Sequence, residues 1–187
     1  MGTSKNYPSP KTPRWNAVRM GYTNNSLPLE RVTAEVWRAA TSENKALESM
    51  IASDLIFKCN KIVSSAASAL EAHRTFTAEI IGSKTNSLVV EFAKRAIVQS
   101  FQRGSGDLAH SWRSNFVSEL TDYFVSRDIA GFFGAGCRNK NISEINTFRR
   151  ELKGIVSDKI RSMDMKVETF GDWKNFVGLS LERLKSK

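Results

Sequence analysis

Histidine and cysteine are scarce in this chain, which has 187 residues but only two of each. His73 and His110 have no second histidine or cysteine at the spacing that a tetrahedral zinc site requires, so the sequence predicts no metal site. Cys59 and Cys137 stand far apart without a CxxC partner, and two thiols make a poor disulfide framework. We therefore expect reduced, buried thiols in a cytoplasmic protein.

Long apolar segments are also missing. No apolar run approaches the roughly 18 residues that a membrane-spanning helix needs. The N-terminal segment has cations and prolines where a signal peptide would have an apolar stretch. With 41% hydrophobic and 25% charged residues, the composition is that of an ordinary globular protein, and the length fits one domain with an extension. The sequence thus predicts a folded protein that has no membrane partner.

Proline is absent after residue 28. All four prolines lie in residues 1–28, together with four cations and no acid, in a chain whose net charge is +9. The proline density and the lack of apolar periodicity predict a flexible, basic recognition tail over residues 1–28, followed by a helical domain over residues 29–187. We expect Met1 to be removed, which leaves the free amine of Gly2 at the start of the mature chain.

Helical periodicity continues through the rest of the chain. Apolar residues recur every three or four positions, and no alternating strand pattern competes with them. Capping residues precede several segments: Asn86 or Ser87 precedes 88–101, Ser105 or Asp107 precedes the next helix, and Asn141 or Ser143 precedes the one after it. The small residues 64–68 mark either a close packing surface or a break. We predict an all-α bundle of six or seven helices, with approximate spans 29–40, 42–62, 70–81, 88–101, 108–133, 143–163 and 173–184.

No arrangement of residues indicates catalysis. Ser105 lies between two glycines, but a nucleophile elbow needs a strand-to-helix turn, and the sequence predicts a helix–helix linker here. The same stretch lacks the lysine and the spacing of a phosphate-binding loop. Glu119, Asp122 and Asp128 lie on one predicted helix, where a charged outer face explains them better than a pair of catalytic carboxylates. We therefore interpret the protein as a non-enzyme without a cofactor.

A basic ridge is the first of two candidate binding surfaces. Residues 138–187 carry twelve cations against seven acids, whereas residues 29–137 carry twelve of each. On the predicted 143–163 helix the cations would form a ridge for nucleic acid, and Arg14 next to Trp15 offers a charge and a stacking ring. A solvated helix face is the simpler interpretation, since no helix-turn-helix or RNA-binding motif accompanies the ridge. Its residues are Arg149, Arg150, Lys153, Lys159 and Arg161.

The N-terminal tail is the second candidate surface. Three prolines restrict the free chain between residues 8 and 13, Trp15 would fill a pocket, and Arg14 would pair with an acid of the partner. N-myristoylation is not indicated, because its pattern places Ser or Thr at the sixth residue and this chain has Asn6. The tail therefore has the properties of a peptide that a partner protein recognises.

Two parts of the sequence resemble the QatB-like proteins of Qat antiphage defence systems. The first is the opening Met1-Gly2-Thr3-Ser4 together with the Pro-containing stretch that ends in Pro13-Arg14-Trp15. The second is the predicted helix LVVEFAKRAIVQSF, residues 88–101, together with the Gly104-Ser105-Gly106-Asp107 that follows it. The resemblance covers these two short parts of the chain.

The resemblance implies a partner enzyme and a modification. Such systems contain a QueC-like enzyme, similar to the ATP-using synthases of 7-deazaguanine nitrile biosynthesis. By this resemblance the enzyme would attach a deazaguanine to Gly2, accept Thr3 and Ser4 in its cleft, and bind Pro13-Arg14-Trp15 outside it. The α-amine suits acylation, since its pKa lies close to cellular pH and much of it is neutral.

The expected function is therefore that of a non-enzymatic accessory protein of a bacterial antiphage defence system. Its N-terminal glycine would be recognised, and on this hypothesis modified, by the QueC-like enzyme. Other proteins of the system would be further partners. The alternative is a basic helical protein that binds nucleic acid.

Overall fold

The fold consists of α-helices. The structure is a computed structural model in which residues 13–80, 88–102 and 107–186 are described. Within these ranges there is no β-strand, and a single isolated bridge joins Phe133 to Asn139. The predicted all-α class is confirmed, with nine helices among the described residues rather than six or seven. They are α1 Pro13–Thr23, α2 Leu29–Glu43, α3 Leu47–Ile51, α4 Asp54–Ser65, α5 Ala69–Glu79, α6 Leu88–Gln102, α7 Leu108–Ile129, α8 Ile142–Arg161 and α9 Phe170–Lys185.

The first additional helix, α1, lies within the predicted flexible tail. Pro13 opens it, where the fixed φ of proline suits the first turn and its missing N–H is not needed. Trp15, Val18 and Tyr22 follow at helical spacing and are all fully buried. The prediction of a flexible tail is therefore wrong for residues 13–28, and the helical domain begins at Pro13 instead of residue 29. Residues 1–12 lie outside the described part, so for them the tail stays a prediction.

The second additional helix arises from a break in the predicted 42–62 segment. The chain leaves the helical path after α3, and Ser53 caps α4 by accepting a hydrogen bond from the Ile56 backbone N–H. A second break follows α4, where the Ser68 hydroxyl accepts from the Glu71 N–H at 3.1 Å. The carboxylate of Glu71 in turn accepts from the Ala67 N–H. Residues 64–68 thus mark a break between helices, one of the two alternatives that the sequence left open.

Side-chain caps set the starts of the long helices. Asp107 caps α7, and Asn141 caps α8 by accepting from the Glu144 N–H at 3.0 Å. Thr169 and Asp172 form a capping box that starts α9 before the predicted position. Helix α7 ends at Ile129, short of the predicted 133, and the two glycines with positive φ, 134 and 136, lie in the loop beyond it. The predicted turn signals at 82–87 and 104–106 lie outside the described residues.

Helix α7 forms the centre of the bundle. It packs most extensively against α8 and α6, and also against α4 and α2. All residues from 111 to 120 are buried, although six of the ten are polar or charged. Hydrogen bonds to neighbouring helices make this possible: Asn115 donates to the Ser100 hydroxyl at 2.9 Å, and Ser114 bonds Ser157 at 3.2 Å. The polar side chains of α7 therefore help to fix the positions of α6 and α8.

Candidate functional site

The structure divides the predicted tail residues into two groups. Gly2, Thr3 and Ser4 lie outside the described residues, whereas Pro13-Arg14-Trp15 forms the first turn of α1. Trp15 is 0% exposed, and the guanidinium of Arg127 lies 4.3 Å from the centroid of its ring. Trp15 is therefore a core residue, and its predicted role as a surface contact for a partner is wrong. Arg14, by contrast, is exposed.

Buried polar groups attach α1 to α7. The Arg19 Nε lies 3.4 Å from the carboxylate of Asp128, whose side chain has no exposed surface. Tyr22 is packed beside this pair, and burial followed by the charge of Asp128 raises the pKa of its hydroxyl well above the ordinary value. Its ring contacts Phe132 at 5.7 Å and Phe148 at 6.0 Å between centroids. These contacts hold α1 in one place on the domain.

Arg138 fixes the C-terminal end of α1. Its backbone N–H donates to the Tyr22 carbonyl at 3.0 Å, and its guanidinium donates to the carbonyls of Asn24 and Leu27. A cation at this position also interacts favourably with the helix dipole. Sequence reasoning missed this residue, because the partners lie more than a hundred positions earlier and no local motif connects them.

The predicted basic ridge is not a uniform solvated surface. Arg149 forms a bidentate ion pair with Asp122, with Nε–Oδ1 and Nη2–Oδ2 distances of 2.8 Å each. Lys153 Nζ donates to Glu119 Oε1 at 2.5 Å, and this carboxylate, in a residue only 5% exposed, also accepts from Gln99. Two of the five predicted cations are thus neutralised by acids of α7. The interpretation of Glu119 as part of an outer charged face is wrong, because α8 covers it.

The other three ridge residues lie in different surroundings. Lys159 Nζ donates to the carbonyls of Arg183 and Ser186 and so caps the end of α9. Arg161 donates to the Ser114 hydroxyl at 3.2 Å, and Arg150 is exposed and bonds only its neighbour Thr147. Except for Lys159, the ridge residues border one groove of about 480 Å³ between α6, α7 and α8. The ridge therefore contributes a polar groove with cations on its rim.

A larger cavity of about 870 Å³ is bordered by Ser100 of α6. Its wall is made by the end of α4, the starts of α5 and α7, and the loop between α8 and α9. His110 Nε2 lies 2.8 Å from the Arg161 carbonyl, which fixes the ring at the cavity edge. Arg113, only 6% exposed, also borders this space, and burial lowers the pKa of its guanidinium. Sequence reasoning missed Arg113, because a single arginine in a helix carries no signal of its own.

The described residues offer neither a metal site nor a membrane-spanning helix. Three or more His, Cys, Asp or Glu side chains come together nowhere in residues 13–80, 88–102 or 107–186 in a way that would hold a metal ion. His73 and His110 lie on α5 and α7 and are not brought together by any recorded contact. No helix in the same ranges combines the length and the apolar character that crossing a bilayer requires.

Comparisons with family models, with curated proteins and with solved structures found no match to this chain. The described residues form an all-helical fold with a polar groove and a larger polar cavity.

Proposed function

We propose that the protein is a non-enzymatic accessory protein of a bacterial antiphage defence system and that it presents Gly2 to a QueC-like partner enzyme. The proposal rests on the resemblance of its opening residues and of residues 88–107 to the QatB-like proteins. One structural observation restricts it: Trp15 is buried, so it is not available as a contact for the enzyme. The segment available to a partner is then short and is attached at a defined point.

The distance from this attachment point limits the partner complex. Gly2 precedes Pro13 by 11 residues. A fully extended segment of this length reaches at most about 36–40 Å. Gly2 can therefore enter a deep cleft only if the enzyme contacts the surface of the helical domain near the start of α1. Arg14, exposed in the first turn of α1, lies where such a contact would occur.

The chemistry is an acylation. The neutral amine of Gly2 attacks the carboxyl carbon of a deazaguanine carboxylic acid that the enzyme has activated with ATP as an acyl-adenylate. The C–N bond of an amide forms, the bond to the phosphate breaks, AMP leaves, and the amine loses one proton. Glycine has no side chain, so its amine can approach a narrow site closely.

The mass of the intact protein, produced together with the partner enzyme, tests the proposal. We expect a covalent adduct on the native protein and on a version with a C-terminal tag, but not when a tag precedes Gly2. Gly2→Pro should abolish the adduct, because a secondary amine in a ring is hindered. Gly178→Ala is the matched glycine control, since a Cβ there would meet no atom within 4 Å. An adduct that persists in Gly2→Pro would refute the assignment of the site.

Arg14 provides a second test of the same proposal. Arg14→Glu should slow the modification, because it reverses an exposed charge next to the entering segment while leaving the core intact. Lys185→Glu, an exchange on α9 at the other end of the chain, should leave the rate unchanged. Equal rates for the two variants would show that the surface at the start of α1 does not contact the enzyme.

Nucleic-acid binding is the second candidate, and one observation favours it: Arg150 is exposed on the rim of the 480 Å³ groove without an acidic partner among the described residues. Arg150→Gln should then weaken binding and lower the slope of log K against log salt by about 0.9, the value for one lost phosphate contact. Lys140→Gln, an exposed change before α8, is the control. An unchanged slope in Arg150→Gln would argue against this candidate.

A further inference from the structure

The 870 Å³ cavity is bordered by a buried cation, Arg113. Arg113 is 6% exposed, yet no hydrogen bond and no ion pair joins its guanidinium to any residue of the described ranges. Its neighbours are the ring of Phe176, at 5.4 Å from the centroid, and the carboxylate of Asp107, whose charge acts on the guanidinium without a hydrogen bond. Burying an unpaired charge is costly, so a protein retains such a residue where a ligand compensates for the cost.

Two helix N-termini open onto the same cavity. Ala69 in the first turn of α5 and Leu108 and Ala109 in the first turn of α7 all line it. Backbone N–H groups in the first turn of a helix have no acceptor within the helix, and the helix dipole adds partial positive charge there. Both features favour an anion.

Three acids border the cavity among the described residues, and their negative charges oppose an anion to different degrees. The carboxylate of Asp107 accepts from the His110 N–H at 2.9 Å as the cap of α7. Glu168 pairs with Lys166 at 2.6 Å. Asp164 is exposed on the loop between α8 and α9. Its negative charge opposes an anion in the cavity, although solvent screens this effect.

We propose that this cavity binds a small organic anion, a carboxylate or a phosphate, and that Arg113 receives the oxyanion. The planar guanidinium offers two parallel N–H donors that match either group. The volume lies in the range of small-molecule pockets, and Val63, Leu108 and Met165 supply apolar contacts for the body of the ligand. None of the described residues that line this cavity borders the polar groove.

Thermal unfolding and isothermal titration of the full chain test the proposal with three probes: inorganic phosphate, adenosine monophosphate and succinate. Sodium chloride at the same ionic strength is the control for salt. At roughly a hundredfold excess over Kd, we expect the Tm to rise by about 5–10 °C. A larger effect of the nucleotide than of phosphate identifies a phosphate ligand with an apolar body, and an effect of succinate alone identifies a carboxylate.

Two variants assign the effect to the cavity. Arg113→Met keeps the length of the side chain and removes the charge, so affinity should fall about tenfold to a hundredfold. In the absence of a probe its Tm should be equal to or above that of the wild type, because an unpaired buried charge has been removed. Asp164→Asn should strengthen binding about two- to fivefold, since it removes an exposed opposing charge.

The opposite directions of these changes distinguish a binding site from a structural arginine. If Arg113 only supports the ring of Phe176, Arg113→Met lowers the Tm and leaves the affinity for the probes unchanged, which overturns the proposal. Should Arg113→Met fail to fold, Asp164→Asn decides, because an exposed substitution leaves the fold intact. A wild-type protein that none of the three probes stabilises beyond sodium chloride also overturns the proposal.

Discussion

Replacement of Trp15 by alanine separates a folded α1 from a flexible tail. The Trp15 side chain is completely buried among α1, α2 and α7, and the Arg127 guanidinium covers its ring. Truncating a buried aromatic side chain to alanine costs about 3–5 kcal/mol of unfolding free energy. In a domain of this size such a loss lowers the Tm by about 6–20 °C.

The measurement is a urea or thermal unfolding curve followed by circular dichroism at the helical wavelengths. Arg14→Ala, a change at the exposed neighbouring position of the same turn, is the control and should change stability by no more than about 0.5 kcal/mol. A Trp15→Ala protein with the wild-type Tm would refute the reasoning, because it would mean that residues 13–23 do not pack on the domain.

Three further predictions concern the packing of the domain. A Cβ on Gly21 would lie 2.7 Å and 2.9 Å from the two methyl groups of Val32, whose branched side chain cannot turn away. Gly21→Ala should therefore lower the free energy of unfolding in urea by about 1–3 kcal/mol, whereas Gly178→Ala should raise it slightly. Equal effects of the two substitutions would contradict the close approach of α1 and α2. Burial raises the pKa of the Cys59 thiol to about 12. In mildly alkaline buffer a thiol reagent should therefore modify the half-buried Cys137 and leave Cys59 unmodified until the protein unfolds. Similar modification rates of the two thiols in the folded protein would argue against the burial of Cys59. A double-mutant cycle of Arg149→Ala and Asp122→Ala, measured by urea unfolding, should give a coupling free energy of about 0.5–1 kcal/mol. If the stability changes of the two single variants simply add in the double variant, the bidentate pair is not formed in solution.

Much of the helical framework could be predicted from the sequence, because the necessary information is local. Apolar spacing predicted α2, α6, α8 and α9, and at each of two starts one of the two predicted capping residues, Asp107 or Asn141, is the cap in the structure. Helix α1 was not predicted, because the density of prolines in residues 8–13 indicated a flexible tail over the whole of residues 1–28. Trp15, Val18 and Tyr22 nevertheless recur as a stripe at helical spacing. That stripe was present in the sequence and would have indicated a buried helix face.

The surroundings of the candidate sites could not be predicted in the same way. The sequence shows cations at 149 and 153, but their partners Asp122 and Glu119 lie on another helix about thirty positions earlier. Whether a cation is exposed or paired depends on how α7 and α8 pack, and no local pattern records this. The same holds for Arg113, whose position at the cavity follows from the convergence of α5 and α7.

The burial of acidic residues in α7 was also not predicted. Acidic residues of a helix are mostly exposed, and so Glu119 and Asp128 were assigned to a charged outer face. In the structure both are buried, because Lys153 and Arg19 neutralise them from α8 and α1. Burial of such residues requires partners distant in sequence, and these become visible only in the folded protein.

The most direct test of the proposed function is a tandem mass spectrum of the N-terminal peptide from protein made together with its partner enzyme. Trypsin cleaves after Lys5 and releases Gly2-Thr3-Ser4-Lys5. The proposal predicts that the first fragment ion, which contains only Gly2, carries the mass of the deazaguanine carboxylic acid less one water. An unmodified Gly2 amine under conditions in which defence operates would contradict it.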